Sequence, residues 1–159
     1  LRDLDARGAA MKTAQSALKK TEMLKLLIPV ICPAGALEAA RHAAFLFAEK
    51  CVAHVEVIEI LDDAAQSRAV AFHSRSALRR QEKDFMRDAL TSTCAVLEDA
   101  GVPYTWKRIF GSAEKSIAAH ANRGADVVVL DASRIGLLRR WLVLFRLWHL
   151  TRKPLTVLH

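Results

Sequence analysis

The sequence has no apolar run of the roughly 18 residues that a membrane-spanning helix needs, so a spanning segment is not expected. A polar, charge-alternating stretch from Leu1 to Glu22 offers no apolar core of a signal peptide,. Its three cysteines, Cys32, Cys51 and Cys94, are far apart and form no CxxC pair. That argues against a disulfide framework or a thiolate metal site and suits reduced thiols in a cytoplasm. The six histidines (His42, His54, His73, His120, His149 and His159) lack a metal-ligand spacing such as HExxH,. Internal repeats and low-complexity segments are missing too. Cytoplasmic localisation is the expectation.

What is present is an alternation. Hydrophobic residues make up 52% of 159 residues, as in a globular chain of one domain with a sizeable core,. Residues 1–22 read as an extension or linker and 23–159 as the domain; Met11 offers an alternative start. Leu24 to Ile31 is almost continuously apolar, the mark of a strand covered on both faces,. Cys32-Pro33-Ala34-Gly35 breaks it. A helix follows over about 36–51, with Leu37, Ala40, Ala44, Leu46 or Phe47, and Ala48 as its buried stripe,. Ala53 to Ile60 alternates with acids and reads as a strand less buried than the first.

After a polar turn at Asp62-Asp63, a long helix is expected over about 68–100, burying Leu78, Phe85, Ala89, Leu90, Thr93 and Leu97. Gly101 and Pro103 stop it. Pro103 to Phe110 reads as an edge strand. Gly111-Ser112 opens a helix to about Asn122, with Ser112 as its expected N-cap,. Asp126 to Leu130 is a buried strand, Leu137 to Leu150 a helix, and Leu155 to Leu158 a last short strand beyond Lys153-Pro154. Strands alternating with helices give a parallel sheet with right-handed crossovers. The turn between Asp126–Leu130 and Leu137–Leu150 then falls at the carboxyl edge of the sheet, where ligands bind in such folds.

Several of these segments together resemble the universal stress protein family. They are Ile28-Pro29-Val30, the helix–Gly101-Val102–strand–Gly111-Ser112 series, and Gly124 to Leu130. Gly136-Leu137-Leu138-Arg139-Arg140 and Arg152 to Leu158 follow in the same order. The resemblance implies a five-stranded parallel sheet in the order 3-2-1-4-5 with helices on both faces, a Rossmann-like α/β fold related to the adenine nucleotide α-hydrolases, and a homodimer through Leu155–Leu158. ATP-binding members of the family carry G-x2-G-x9-G-[ST] after strand four. On that spacing Asp131 and Arg134 stand for the first two glycines, and Leu144 and Phe145 for the final Gly and Ser/Thr. Ile31 and Cys32 stand where the family places an adenosine-contacting Asp. The resemblance thus implies a nucleotide pocket with degenerate positions at Ile31, Cys32, Asp131, Arg134, Leu144 and Phe145, with Leu144, Phe145 and the Cys32 side of the turn filling the space of ATP.

No cofactor is therefore expected, ATP and AMP being disfavoured, and no metal. The chain reads as a non-enzymatic, dimeric stress-response or regulatory domain acting through protein surfaces. Ser133, Arg134, Arg139 and Arg140 are the residues that would gather an anion if the turn binds one, AMP or a cyclic nucleotide included. A nucleotidyl transferase or ATP pyrophosphatase of the wider nucleotide-binding superfamily is disfavoured by the lack of HxGH, KMSKS-like and SGGxDS stretches. The formal charge of +7 permits contact with nucleic acid or anionic lipid without demonstrating either,, and neither is an expected partner. Cys32, just ahead of a helix N-terminus, reads as a buried inert thiol rather than a redox sensor. Trp141, Phe145 and Trp148 read as core packing on the sheet. The last helix is nevertheless apolar on nearly every side, which calls for a second buried contact.

Overall fold

A computed structural model describes residues 23–32, 34–61, 75–133 and 135–158. In chain order the elements are β1 (Leu24–Val30), α1 (Leu37–Ala48), β2 (Val52–Leu61), α2 (Arg75–Asp99), β3 (Tyr104–Phe110), α3 (Ala113–Gly124), β4 (Val127–Asp131), α4 (Leu137–Leu150) and β5 (Leu155–Leu158). All neighbouring strands are parallel, in the order β3-β2-β1-β4-β5. The expected extension at 1–22, the Asp62-Asp63 turn and the first turns of the long helix lie outside the described residues.

The continuous apolar run of β1 follows from a sheet covered on both sides, since successive side chains of a strand point to opposite faces. Leu26, Ile28 and Val30 enter a core with α1 and α2, where Ala39, Ala40, Ala43, Met86 and Leu97 meet them. Leu27 faces the other way, into a core with Val128 and Leu130 of β4, Ile117 and Ala121 of α3, and Val143 and Leu147 of α4. The buried stripe of α1 is alanine, which lets the helix axis lie close to the sheet. Ala48, placed in that stripe by the sequence, is exposed. On α2 it is Met86, one position further on, that is buried, while Phe85 points to solvent.

β2 differs from its reading as a less buried strand. It lies between β1 and β3, and Val52, Val55 and every residue from Val57 to Leu61 are buried. The acids suggested a solvent face, but the charge of Glu59 is neutralised inside. Glu59 is 0% exposed, and its Oε2 accepts from Arg108 Nε at 2.6 Å and its Oε1 from Arg108 Nη2 at 3.4 Å. Arg108 is its register partner on β3. A forked guanidinium on a carboxylate is the geometry that makes a buried charge tolerable. β3 is at the edge, as its alternation predicts.

Glu56, on the opposite face of β2, accepts from Lys107 Nζ at 2.9 Å and lies 3.3 Å from His120 Nδ1 on α3. Burial raises its pKa, but the hydrogen bond and charge of Lys107, and then those of His120, more than offset this and hold it below the ordinary carboxylate value. Ser112 takes the N-cap position of α3, but its hydroxyl donates to Glu114 Oε2 at 3.0 Å and caps no backbone amide.

Two outcomes are expected. Arg108→Met should destabilise by about 3–5 kcal/mol in urea unfolding, because it strands a buried carboxylate, whereas a Glu59→Leu/Arg108→Met double variant should recover most of that loss. The stability that Glu56 contributes is fully present above the carboxylate pKa of the unfolded chain and lost as pH falls through the depressed folded value,. Lys107→Gln should therefore flatten the acid limb of a stability–pH curve.

Candidate functional site

The strand order reverses between β1 and β4. β1 leads into α1 on one face of the sheet, and β4 leads into α4 on the other. The crevice at the carboxyl ends of these two strands is the switch point at which α/β sheets bind ligands. It is formed by Ile31 and Cys32 after β1, the N-terminus of α1, and Asp131, Ala132 and Ser133 at the end of β4.

The N-cap position of helix α1 is held by Ala36, which has no polar side chain to cap the free amides of the first turn,. Two residues distant in sequence supply what is missing. Thr93 Oγ1 on α2 accepts from the Ala36 amide at 3.1 Å and donates to the Ala89 carbonyl at 2.7 Å. Asp131 Oδ2 accepts from the Glu38 amide at 2.9 Å. The loop before α1 is pressed onto α2 at Gly35, whose φ is +77°. A Cβ there would come within 3.1 Å of the Ala89 carbonyl oxygen. Only glycine satisfies both the left-handed backbone and the close approach.

Asp131 is buried, and its carboxylate is used on both oxygens. Oδ1 accepts from the Ser133 amide at 3.1 Å and from the Ser133 hydroxyl at 2.5 Å. The strand end that carries it is itself pinned, with the Ala132 amide donating to the Leu158 carbonyl at 2.9 Å. A negative group thus rests at the positive end of the α1 dipole, a place where a helix N-terminus attracts anions.

Ser133, expected as an anion donor, gives its hydroxyl to this carboxylate. Arg134 lies outside the described residues, as does the side chain of Arg139; Arg140 is half-buried at the start of α4. Ile31 is half-buried against the core on the α3–α4 face. Cys32 is half-buried with its thiol 3.8 Å from the Gly35 carbonyl. It stays unpaired, as do Cys51 and Cys94, and burial pushes the Cys94 thiol pKa up. Among the described residues no group of three or more His, Cys, Asp or Glu could hold a metal ion.

Leu144 and Phe145, two further positions expected to fill the pocket, belong to α4. They lie in the third turn of α4, roughly 10 Å along the axis from Leu137. Leu144 packs half-buried on the sheet, and Phe145 is exposed, its ring edge against His149. With Trp141 and Trp148 they line a groove of about 880 Å³ between α4 and β5, closed by Pro154, Leu155 and Val157. The core packing expected of Trp141, Phe145 and Trp148 is not what the fold gives them. All three are exposed, because Val143 and Leu147 already fill the side of α4 that meets the sheet. Sequence reasoning missed the pairing of Asp131 with the Glu38 amide and the capping role of Thr93. Its one available signal was an uncapped Ala36 at a helix start.

Neither a family model nor a curated protein matches the chain in sequence. Solved structures do match in fold. The universal stress protein UspA from Lactobacillus plantarum is 19% identical with a TM-score of 0.63, covering 87% of this chain and 99% of its own. A universal stress protein from Archaeoglobus fulgidus, solved in complex with dAMP, is 13% identical with a TM-score of 0.60 over 87% of this chain and 99% of its own. A universal stress protein in complex with cAMP is 13% identical with a TM-score of 0.52, covering 87% and 98%.

The capping role of Asp131 has a direct test. Asp131→Ala removes the acceptor of the Glu38 amide and both Ser133 bonds, and should cost about 1–2 kcal/mol in chemical denaturation. Asp131→Asn, which keeps an acceptor oxygen without the charge, should cost less.

Proposed function

From a chain that has the fold of the universal stress proteins, we propose a non-enzymatic regulatory domain of the stress-response type whose switch-point crevice does not bind ATP. The observation that carries this reading is the Asp131 carboxylate on the Glu38 amide. The protein's own anion takes up an amide at the helix N-terminus and sets a negative charge where phosphate oxygens would have to come. The Ser133 hydroxyl, the nearest neutral donor in the turn, is engaged by the same carboxylate. Without a bound nucleotide the domain acts through its surfaces, as a homodimer joined along β5. In support, β5 is an edge strand, uncharged, and hydrogen-bonded to β4 on one side only among the described residues.

The rival reading, an AMP-like or other anionic ligand held by Ser133, Arg134, Arg139 and Arg140, draws on the dAMP and cAMP complexes of the two neighbours. One experiment separates the two. Calorimetric titration of the 159-residue chain with Mg-ATP, ADP, AMP and cyclic AMP should give no heat, and no nucleotide at millimolar concentration should raise the melting temperature. Micromolar binding of any of them would overturn the proposal and mean that the Asp131 carboxylate swings off the α1 amide. Sedimentation equilibrium should give twice the chain mass, and a monomer at every concentration would remove the dimer from the reading.

A further inference from the structure

Among the described residues, the outer face of α4 is an apolar surface that the fold leaves uncovered. Leu137, Leu138, Trp141, Leu142, Phe145 and Trp148 are all exposed, Leu138 by 83% and Trp148 by 79%. At 100° per residue they fall on one arc of about 140°, turned away from Val143 and Leu147 on the sheet side. Scattered exposed apolar residues are ordinary, but a continuous stripe of two tryptophans, a phenylalanine and three leucines is not.

The charges around this stripe say what kind of surface covers it. From Leu137 to Leu158 there are five cations, Arg139, Arg140, Arg146, Arg152 and Lys153, and no aspartate or glutamate. Glu114 of α3 reaches into the region, at 3.3 Å from Arg146 Nη1. Arg152 and Lys153 border the groove that runs between the aromatic stripe and β5. A second copy packed here would bring the same five cations, with no acid from Leu137 to Leu158 to meet them, which like-charge repulsion opposes,. A lipid surface with anionic headgroups supplies both requirements at once, apolar depth for the stripe and negative charge for its rim. A helix with Trp, Leu and Phe on one side and arginines beside them is the kind that lies in the plane of a bilayer interface. No helix among the described residues is long and apolar enough to cross a membrane, so the contact is peripheral.

We propose that α4 and the Arg152-Lys153 turn form a docking face for an anionic membrane surface, the apolar stripe sinking into the interface and the basic rim holding the headgroups. The proposal does not depend on whether the crevice at the ends of β1 and β4 binds a nucleotide; its groove shares Leu155 and Val157 with β5.

The test is co-sedimentation of the full chain with phosphatidylcholine vesicles and with vesicles in which about a third of the lipid is phosphatidylglycerol. The Trp106→Phe variant leaves Trp141 and Trp148 as the fluorophores. The expected result is binding to the anionic vesicles at least tenfold stronger than to neutral ones, weakened by salt, with a blue shift of tryptophan emission. Leu138→Glu/Trp148→Glu should abolish the shift and the binding with an unchanged circular dichroism spectrum, because both side chains are solvent-facing. Arg152→Gln/Lys153→Gln should weaken anionic binding roughly 5-fold per cation removed. Equal binding to both vesicle types, or no binding to either, would overturn the proposal. So would a wild-type dimer that Leu138→Glu/Trp148→Glu turns into a monomer, since a second copy would then be what covers the stripe.

Discussion

One carboxylate ties the end of β4 to a helix on the far face of the sheet, at the sheet's carboxyl edge. Asp131 ends β4, and through the Glu38 amide it fixes the start of α1, a helix that belongs to the opposite face. The geometry of the switch point depends on that link. Where β1 and β4 diverge, the sheet would otherwise open a cleft bordered by unpaired amides, and backbone groups in such a place must find partners. Thr93 and Asp131 are those partners, and neither belongs to the segment it caps. The site is therefore held together by contacts that are long in sequence and short in space, and its shape is tied to the packing of α2 through Gly35 and Thr93.

The fold was legible in the sequence because its signals are local and repeated. Apolar runs of the right length marked β1 and β4, Gly101 and Pro103 ended α2, and Lys153-Pro154 ended α4, so the bounds of α4 and β5 agree with the reading to the residue. The order of strands came from resemblance and agrees as well. Legibility failed where a residue's fate is decided by a partner far along the chain. Acids in β2 look like a solvent face until Arg108 is placed beside Glu59. Phe85 and Met86 both fit a helical stripe, and a rotation of 100° decides between them.

The candidate site was readable in part. Asp131 was legible as a departure from a glycine pattern, but not as a cap. Counting along a motif placed Leu144 and Phe145 at a phosphate subsite; in the structure both line the groove between α4 and β5. The aromatic residues of α4 looked like core because they are large and apolar, and composition does not reveal that Val143 and Leu147 had already filled the sheet side. A helix apolar all round signals two contacts. The sheet is one of them, and the stripe of Leu138, Trp141, Phe145 and Trp148 is the surface left for the other.

The two borders of the sheet are not equivalent. β3 carries Lys107 and Arg108, both tied back to acids of β2, and a charged border of this kind resists the approach of another strand,. β5 carries Leu155, Thr156, Val157 and Leu158, with no charge to do the same. A sheet open at both borders can add copies without limit and grow into a filament. One open at a single border has room for one addition, after which no free template remains. If copies add along β5, the asymmetry between β3 and β5 would act as a stop on growth, written into the charge of two short strands.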